Sequence, residues 1–234
     1  MFIKRLFDIV FSAIGLILLS PLFLLVGIII KLDSFGPVFY RGVRTGRYGK
    51  PFRIFKFRSM ASDAEKSGVS STSNNDMRIT KVGKIIRKLK LDEFSQLINV
   101  LIGDMSIVGP RPQITYYTDR YSEEEKETLK LRPGITDWAS IKFNDEGGII
   151  ASSNIPDADL AYEVCIHPTK MKYQLKYLRE RNIWVDLKII FCTVLSVIST
   201  RIGGNPIGIP ELSPKELEEV AKASEEAKIA GIKL

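Results

Sequence analysis

"KRLFDIVFSAIGLILLSPLFLLVGIIIKLD", residues 4–33, decides the fold. From Leu6 to Ile30 the run is apolar except for Asp8 and a few small polar residues. About 25 such residues suffice to cross a hydrocarbon core of about 30 Å. Pro21 sits near the centre, where it removes a backbone donor and disfavours helical geometry at Ser20. The halves Leu6–Leu19 and Leu22–Leu32 would be about 21 Å and 16 Å long, so neither crosses alone. Lys4 and Arg5 precede the run; Lys31, Arg41, Arg44, Arg47 and Lys50 follow it. Both ends therefore favour the cytoplasmic side. A helix-break-helix that enters and leaves by one face satisfies both constraints, with the Ser20 hydroxyl bonding a carbonyl freed at the break. A kinked single span is the alternative, since membrane helices tolerate proline.

The run exceeds the apolar core of a cleavable signal, and no clear small-residue cleavage site precedes Lys31. The remaining roughly 200 residues suit one compact domain. Lys and Arg total 34 against 27 Asp and Glu, a net charge of +7. The excess lies in Lys31–Lys90, beside the apolar run, which points to lipid head groups or phosphorylated substrates rather than nucleic acid. Two cysteines, Cys165 and Cys192, give no disulfide framework and no zinc spacing. They fit a reducing compartment. His167 is the single histidine; before Pro168, it reads as a loop residue.

Along the chain, Val38–Tyr40 and Phe52–Phe57 read as short strands joined by a Gly-rich turn. Residues 62–76 read as a mobile Ser-rich loop. Ile79–Leu101 has helical spacing with an interruption near Leu91. Residues 103–112 and 142–160 read as loops, Thr115–Leu131 as a charged helix, and Lys170–Thr200 as one long helix or two. The apolar end of that last stretch reads as a core helix or one lying on a bilayer surface. Ser213-Pro214 is a helix start. We expect a predominantly helical α+β chain with a short β-hairpin. Its expected parts are a membrane hairpin at 1–32, a catalytic domain at 33–205 and a helical tail at 206–234.

"KLKLDEFSQLINVL" (88–101) sets the adjacent acids Asp92 and Glu93 among Lys84, Arg87, Lys88 and Lys90. Asp92 stands where an N-cap would serve a helix over Glu93–Leu101, and Glu93 would favour that helix's dipole. The functional alternative is a carboxylate working among cations on a phosphorylated substrate, holding Mg²⁺ or attacking phosphorus. Pro110 and Pro112 mount Arg111 rigidly, either as a phosphate clamp or as part of a stiff surface turn. In "FKFRSM" (55–60) a strand would turn Phe55 and Phe57 inward and put Lys56 and Arg58 together on the other face. Arg78 and Thr80 are either phosphate contacts or ordinary loop residues.

Three stretches, 4–60, "RITKVGKIIRKLKLDEFSQLINVLIGDMSIVGPRP" (78–112) and "LRPGITDWASI" (131–141), resemble the bacterial sugar transferases. These are monotopic polyprenyl-phosphate phosphoglycosyl transferases. The resemblance implies transfer of a sugar-1-phosphate from a UDP-sugar to undecaprenyl phosphate, with UMP leaving, at the first membrane step of glycoconjugate synthesis. It implies Asp92 as nucleophile and Mg²⁺ contact, and Glu93 as its assistant, accepting a proton or supporting the metal. Arg111, Lys56 and Arg87 are implied at phosphate or nucleotide, and Ser20-Pro21 at a re-entrant break. It also implies a bacterial inner-membrane location with the catalytic part on the cytoplasmic face, among membrane lipids. A homo-oligomer is left open.

The chain departs from the family pattern in places. Phe94-Ser95 replace Leu-Pro, and Asp137 and Ser140 replace a glycine and a glutamine. "KFNDEGG" (142–148) lacks a common arginine. These departures leave the sugar open. Starting at the apolar run, the chain is expected to be a minimal catalytic form. Two other readings are a one-step transferase with Asp92 only as metal ligand, and a non-enzymatic scaffold whose basic face binds anionic lipid.

Overall fold

A computed structural model describes residues 2–61, 76–201 and 204–232. Most of the expected loop at 62–76 lies outside them. The described residues form two compact units, 2–61 with 77–135, and 136–232.

The first unit begins with one helix, α1 (Phe2–Asp33), that runs through Pro21. The expectation of two helices with a break is corrected to that extent. The proline removes the donor that would reach the Ile17 carbonyl, and Ser20 Oγ donates to that oxygen at 2.8 Å. The carbonyl stays bonded and helical geometry persists. The burial of α1 is inverted relative to a soluble helix. Asp8 and Ser12 are buried, while Phe11, Ile14, Ile17, Leu18, Leu24 and Leu25 are exposed. Among the described residues, it is the one helix long and apolar enough to cross a membrane.

Next come β1 (Phe39–Tyr40), β2 (Val43–Thr45), β3 (Pro51–Arg53) and β4 (Lys56–Phe57). β1 pairs with β4 and β2 with β3, both antiparallel. Ile54 N–H donates to Gly42 O at 3.0 Å between the two ladders. Phe39↔Phe57, Val43↔Arg53 and that bond share one register, so the four pieces are a single hairpin, as expected. Its tip turns through Tyr48 and Gly49, both with positive φ.

One face of the hairpin packs Phe57 with Val26 and Ile30 of α1 and with Ile86 of α2 (Lys81–Lys88). The other packs Ile54 with Val100 of α3 (Leu97–Ile102) and with Met105. β5 (Ser106–Val108) then pairs with β6 (Gly134–Thr136). Between them, the expected helix over Thr115–Leu131 is in fact α4 (Thr115–Thr118) and α5 (Glu123–Lys126), followed by a 3-10 turn. A Ser122–Glu125 capping box restarts the chain at α5.

The second unit holds α6 (Trp138–Lys142), α7 (Glu146–Ser152), α8 (Ala158–Cys165), α9 (His167–Glu180), α10 (Ile183–Arg201) and α11 (Pro214–Ile232). The loop expected at 142–160 contains α7 and the start of α8, each opened by an aspartate cap, Asp145 and Asp157. His167 opens α9 instead of lying in a loop. Ser213 caps α11 as its Ser-Pro start predicts. α10 is part core and part surface, with Ile189 buried and Trp184, Phe191, Val194 and Ile198 exposed.

Candidate active site

The interruption expected near Leu91 is real and shapes the site. α2 stops at Lys88, and Lys90 takes left-handed geometry (φ 56°), which is costly for a lysine. A 3-10 helix, Leu91–Gln96, follows and runs into α3. Leu91 packs into the core beside Phe57 and Ile86, and Ser95 Oγ donates to Phe55 O at 3.1 Å. Asn99 Oδ1 accepts from Phe55 N–H at 2.7 Å while its Nδ2 donates to Arg53 O at 2.9 Å. These bonds stitch the dyad segment to the hairpin. α2 itself sits tightly on Ser59, because a Cβ on Gly83 would collide with the Ser59 carbonyl.

Asp92 is the second residue of the 3-10 helix, so it is not an N-cap, and the capping expectation is corrected. Asp92 is 9% exposed, and its Oδ1 has no hydrogen-bond partner among the described residues. Oδ2 lies 3.9 Å from Lys56 Nζ. Glu93 stands differently. Both its oxygens accept from Arg111, with Nη1–Oε2 at 3.0 Å and Nη2 on Oε1, and Lys56 Nζ donates to Oε1 at 3.0 Å. One acid is tied down and the other is left with an open oxygen.

Electrostatics separates them further. Burial pushes the Asp92 carboxyl above its ordinary range. Lys56 opposes this, Glu93 adds to it, and Arg87 and Lys90 pull it back down. Burial acts upward on Glu93 too, but Arg111 and then Lys56 hold it well below the usual carboxylate range.

Lys56, Arg87 and Arg111 thus converge on the dyad as expected. Arg58 does not. β4 ends at Phe57, so the alternation that would pair Arg58 with Lys56 stops there. Arg58 is 5% exposed and donates to Ile30 O, Ser34 O, Ser34 Oγ and Phe35 O around the end of α1. Thr80 caps α2 by accepting from Gly83 N–H at 2.9 Å, and Arg78 precedes it. Both stand at the start of a helix about 12 Å long whose other end leads to the dyad. The sequence marks Lys90 as one of the surrounding cations but gives no sign of the parts played by Ser95 and Asn99. Asp92, Ser95 and Asn99 recur at helical spacing and so resemble a solvated face, yet that face is buried against the hairpin.

Among the described residues, no cluster of three or more His, Cys, Asp or Glu side chains could hold a metal alone. The buried, unpartnered Asp92 Oδ1 fits Mg²⁺ in another way. It is a hard oxygen donor, and Mg²⁺ is commonly held by one carboxylate together with substrate phosphate oxygens.

A model of the family described as bacterial sugar transferase matches residues 1–200. The chain belongs to the bacterial sugar transferase family. One relative in it, the UDP-N-acetylgalactosamine-undecaprenyl-phosphate N-acetylgalactosaminephosphotransferase of Aeromonas hydrophila, is 38% identical over 201 residues. The match covers 85% of this chain and 44% of that protein. The UDP-glucose:undecaprenyl-phosphate glucose-1-phosphate transferase of Escherichia coli K12 is 38% identical over 196 residues, covering 82% of this chain and 39% of its own length. An uncharacterized sugar transferase of Bacillus subtilis is 34% identical over 198 residues, 85% of this chain and 88% of its own length. The chain therefore spans less than half of the first two family members and most of the third.

Proposed function

We propose that this chain transfers a sugar-1-phosphate from a UDP-sugar to polyprenyl phosphate through a phosphosugar carried on Asp92. The observation that carries the reading is the contrast within the dyad: Glu93 is fully engaged, while Asp92 keeps one buried oxygen open among Lys56, Arg87 and Lys90. Undecaprenyl phosphate and UDP-sugars in the names of two relatives supply the substrate classes. Their sugars differ, so the sugar stays outside the proposal.

In the first displacement the Asp92 carboxylate attacks the sugar-proximal phosphorus, and that phosphorus parts from the bridging oxygen, which leaves with UMP. In the second, a polyprenyl phosphate oxygen attacks the same phosphorus and expels the aspartate carboxylate, giving polyprenyl-diphosphate-sugar. Arg87, whose charge bears on Asp92, would take a diphosphate oxygen. Lys56 steadies both acids. Glu93, held ionised far below neutral pH, is a poor proton acceptor; its work is to hold Arg111 and Lys56 in place. Asp92 would hold Mg²⁺, which when bound offsets diphosphate charge. The cheap test is UDP-sugar alone with purified protein. We expect about one UMP released per active site and a sugar-phosphate adduct on Asp92. If no UMP appears until polyprenyl phosphate is added, transfer is a single step with Asp92 as metal ligand only.

We read α1 as re-entrant from the cytoplasmic face of the inner membrane. Supporting this, Arg5 and Asp8 near its start and Ile30 near its end all bind the same unit. A spanning helix would put the hydrocarbon core between those two anchors, where one folded unit does not reach both. Cysteines placed near residues 2 and 50 should be labelled from the same side of sealed vesicles. Labelling from opposite sides would restore the kinked single span.

A further inference from the structure

Asp8 is the one acidic side chain inside the apolar run, and the proposed reaction makes no use of it. Its side chain is 2% exposed. Oδ1 accepts from Ser106 Oγ at 3.1 Å and from Ile107 N–H at 3.0 Å, at the start of β5. One turn earlier, Arg5 donates to Val100 O at 2.6 Å and Leu101 O at 3.0 Å, at the end of α3. The first turns of the membrane helix therefore grip two segments at once. α3 continues the 3-10 helix that bears Asp92 and Glu93, and β5 leads within three residues to Arg111.

If the only need were to seat α1 on the body, apolar side chains would serve better, because burying a polar group carries a desolvation cost that apolar packing avoids. A buried carboxylate does fix position. Two directed hydrogen bonds set where Ser106 and Ile107 lie, and apolar packing tolerates sliding. The link onward is stiff. Pro110 and Pro112 flank Arg111, Gly134 N–H donates to Pro110 O at 2.9 Å, and Gly109 and Gly134 approach too closely for a Cβ on Gly134. A displacement at Ser106 is thus transmitted to the guanidinium instead of being absorbed by a loose loop.

We infer that Asp8 is a positioning residue. From within the membrane helix it sets the register of β5, and through it the two-pronged grip of Arg111 on Glu93, so the seating of α1 and the assembly of the site are mechanically joined. The inference rests on the reading of Asp92, Glu93 and Arg111 as the site.

The test uses the full chain in nanodiscs. Asp8→Ala should insert normally and lose about 10- to 100-fold in turnover, the scale of an ångström-level misplacement. Asp8→Asn, which keeps an acceptor oxygen for both donors, should retain at least about half of parental turnover. An Asp8→Asn variant as damaged as Asp8→Ala would overturn the inference. The decisive comparison is Asp8→Ala combined with Arg111→Lys. A residue acting through the Arg111 fork loses most of its effect once the fork is gone, whereas a merely structural one gives multiplying losses. Hydrogen exchange at Val108, Gly109 and Arg111 decides the matter without reference to activity. Asp8→Ala should speed these amides about 10-fold, and unchanged exchange would sink the inference even if turnover falls. If Arg111→Lys alone keeps full turnover, the reading of the site fails, and exchange still judges the clamp.

Discussion

Asp92→Asn should abolish sugar-phosphate transfer, by at least about 10³-fold, in a protein that folds and inserts as before. The amide matches the carboxylate in shape but cannot attack phosphorus, and loss of a covalent nucleophile costs this much or more. The fold should survive because nothing depends on the lost charge. Oδ1 has no hydrogen-bond partner among the described residues, Oδ2 lies 3.9 Å from Lys56, and Asp92 caps no helix. The adduct formed with UDP-sugar alone should vanish with turnover. Near-normal transfer by Asp92→Asn would remove Asp92 as nucleophile. Intact pathway function in cells carrying it would favour the lipid-binding scaffold.

Arg111→Ala is expected to have the second-largest effect, and on stability as well as rate. It strips Glu93 of both guanidinium bonds and leaves a mostly buried carboxylate with Lys56 alone. For fully buried pairs, removing one partner costs about 3–5 kcal/mol. Here the side chains are 23% and 20% exposed, so about 2–3 kcal/mol is the reasonable scale. Turnover should fall about 100-fold through the loosened site. The sign of the pH dependence follows from Glu93, whose folded-state pKa lies well below the ordinary 4.5. A depressed carboxylate contributes stability that is fully present above its unfolded value and is lost as pH falls through the folded one. The stability gap between parent and Arg111→Ala should therefore be full at pH 7 and narrow below about pH 4.5. Thermal unfolding across that range measures it. A gap independent of pH would mean that Arg111 stabilises by packing and not through Glu93.

Much of the site is legible in the residues themselves. The acidic pair, the proline-mounted Arg111 and Lys56 are candidates by type and spacing, Arg87 by the family resemblance, and the structure brings them together. Arg58 and Thr80 look equally chemical in sequence, but they serve helix ends. Nothing local says that β4 stops one residue before Arg58, because strand length is set by what the partner strand and α1 permit. Likewise Thr80 reads as a phosphate contact or a cap with equal ease until α2 is seen to begin at Lys81. A short helix such as α7 looks like a loop in sequence because its glycines hide a start that Asp145 supplies.

The sequence by itself determined that an apolar run of membrane length carries a proline next to a serine, and that an Asp-Glu pair lies among cations. These are properties of composition and spacing, and they hold for any fold the chain adopts. Only the tertiary structure divided labour within the pair. Adjacent residues on a helix point in different directions. The hairpin and β5 loop place Lys56 and Arg111 on the Glu93 side, leaving Asp92 Oδ1 buried and open. Tertiary structure also decided how the chain passes Ser20-Pro21, since the hydroxyl reaches the carbonyl that proline abandons and the helix continues. A hydrogen bond between residues three apart needs a geometry, and geometry is what a string of letters does not carry.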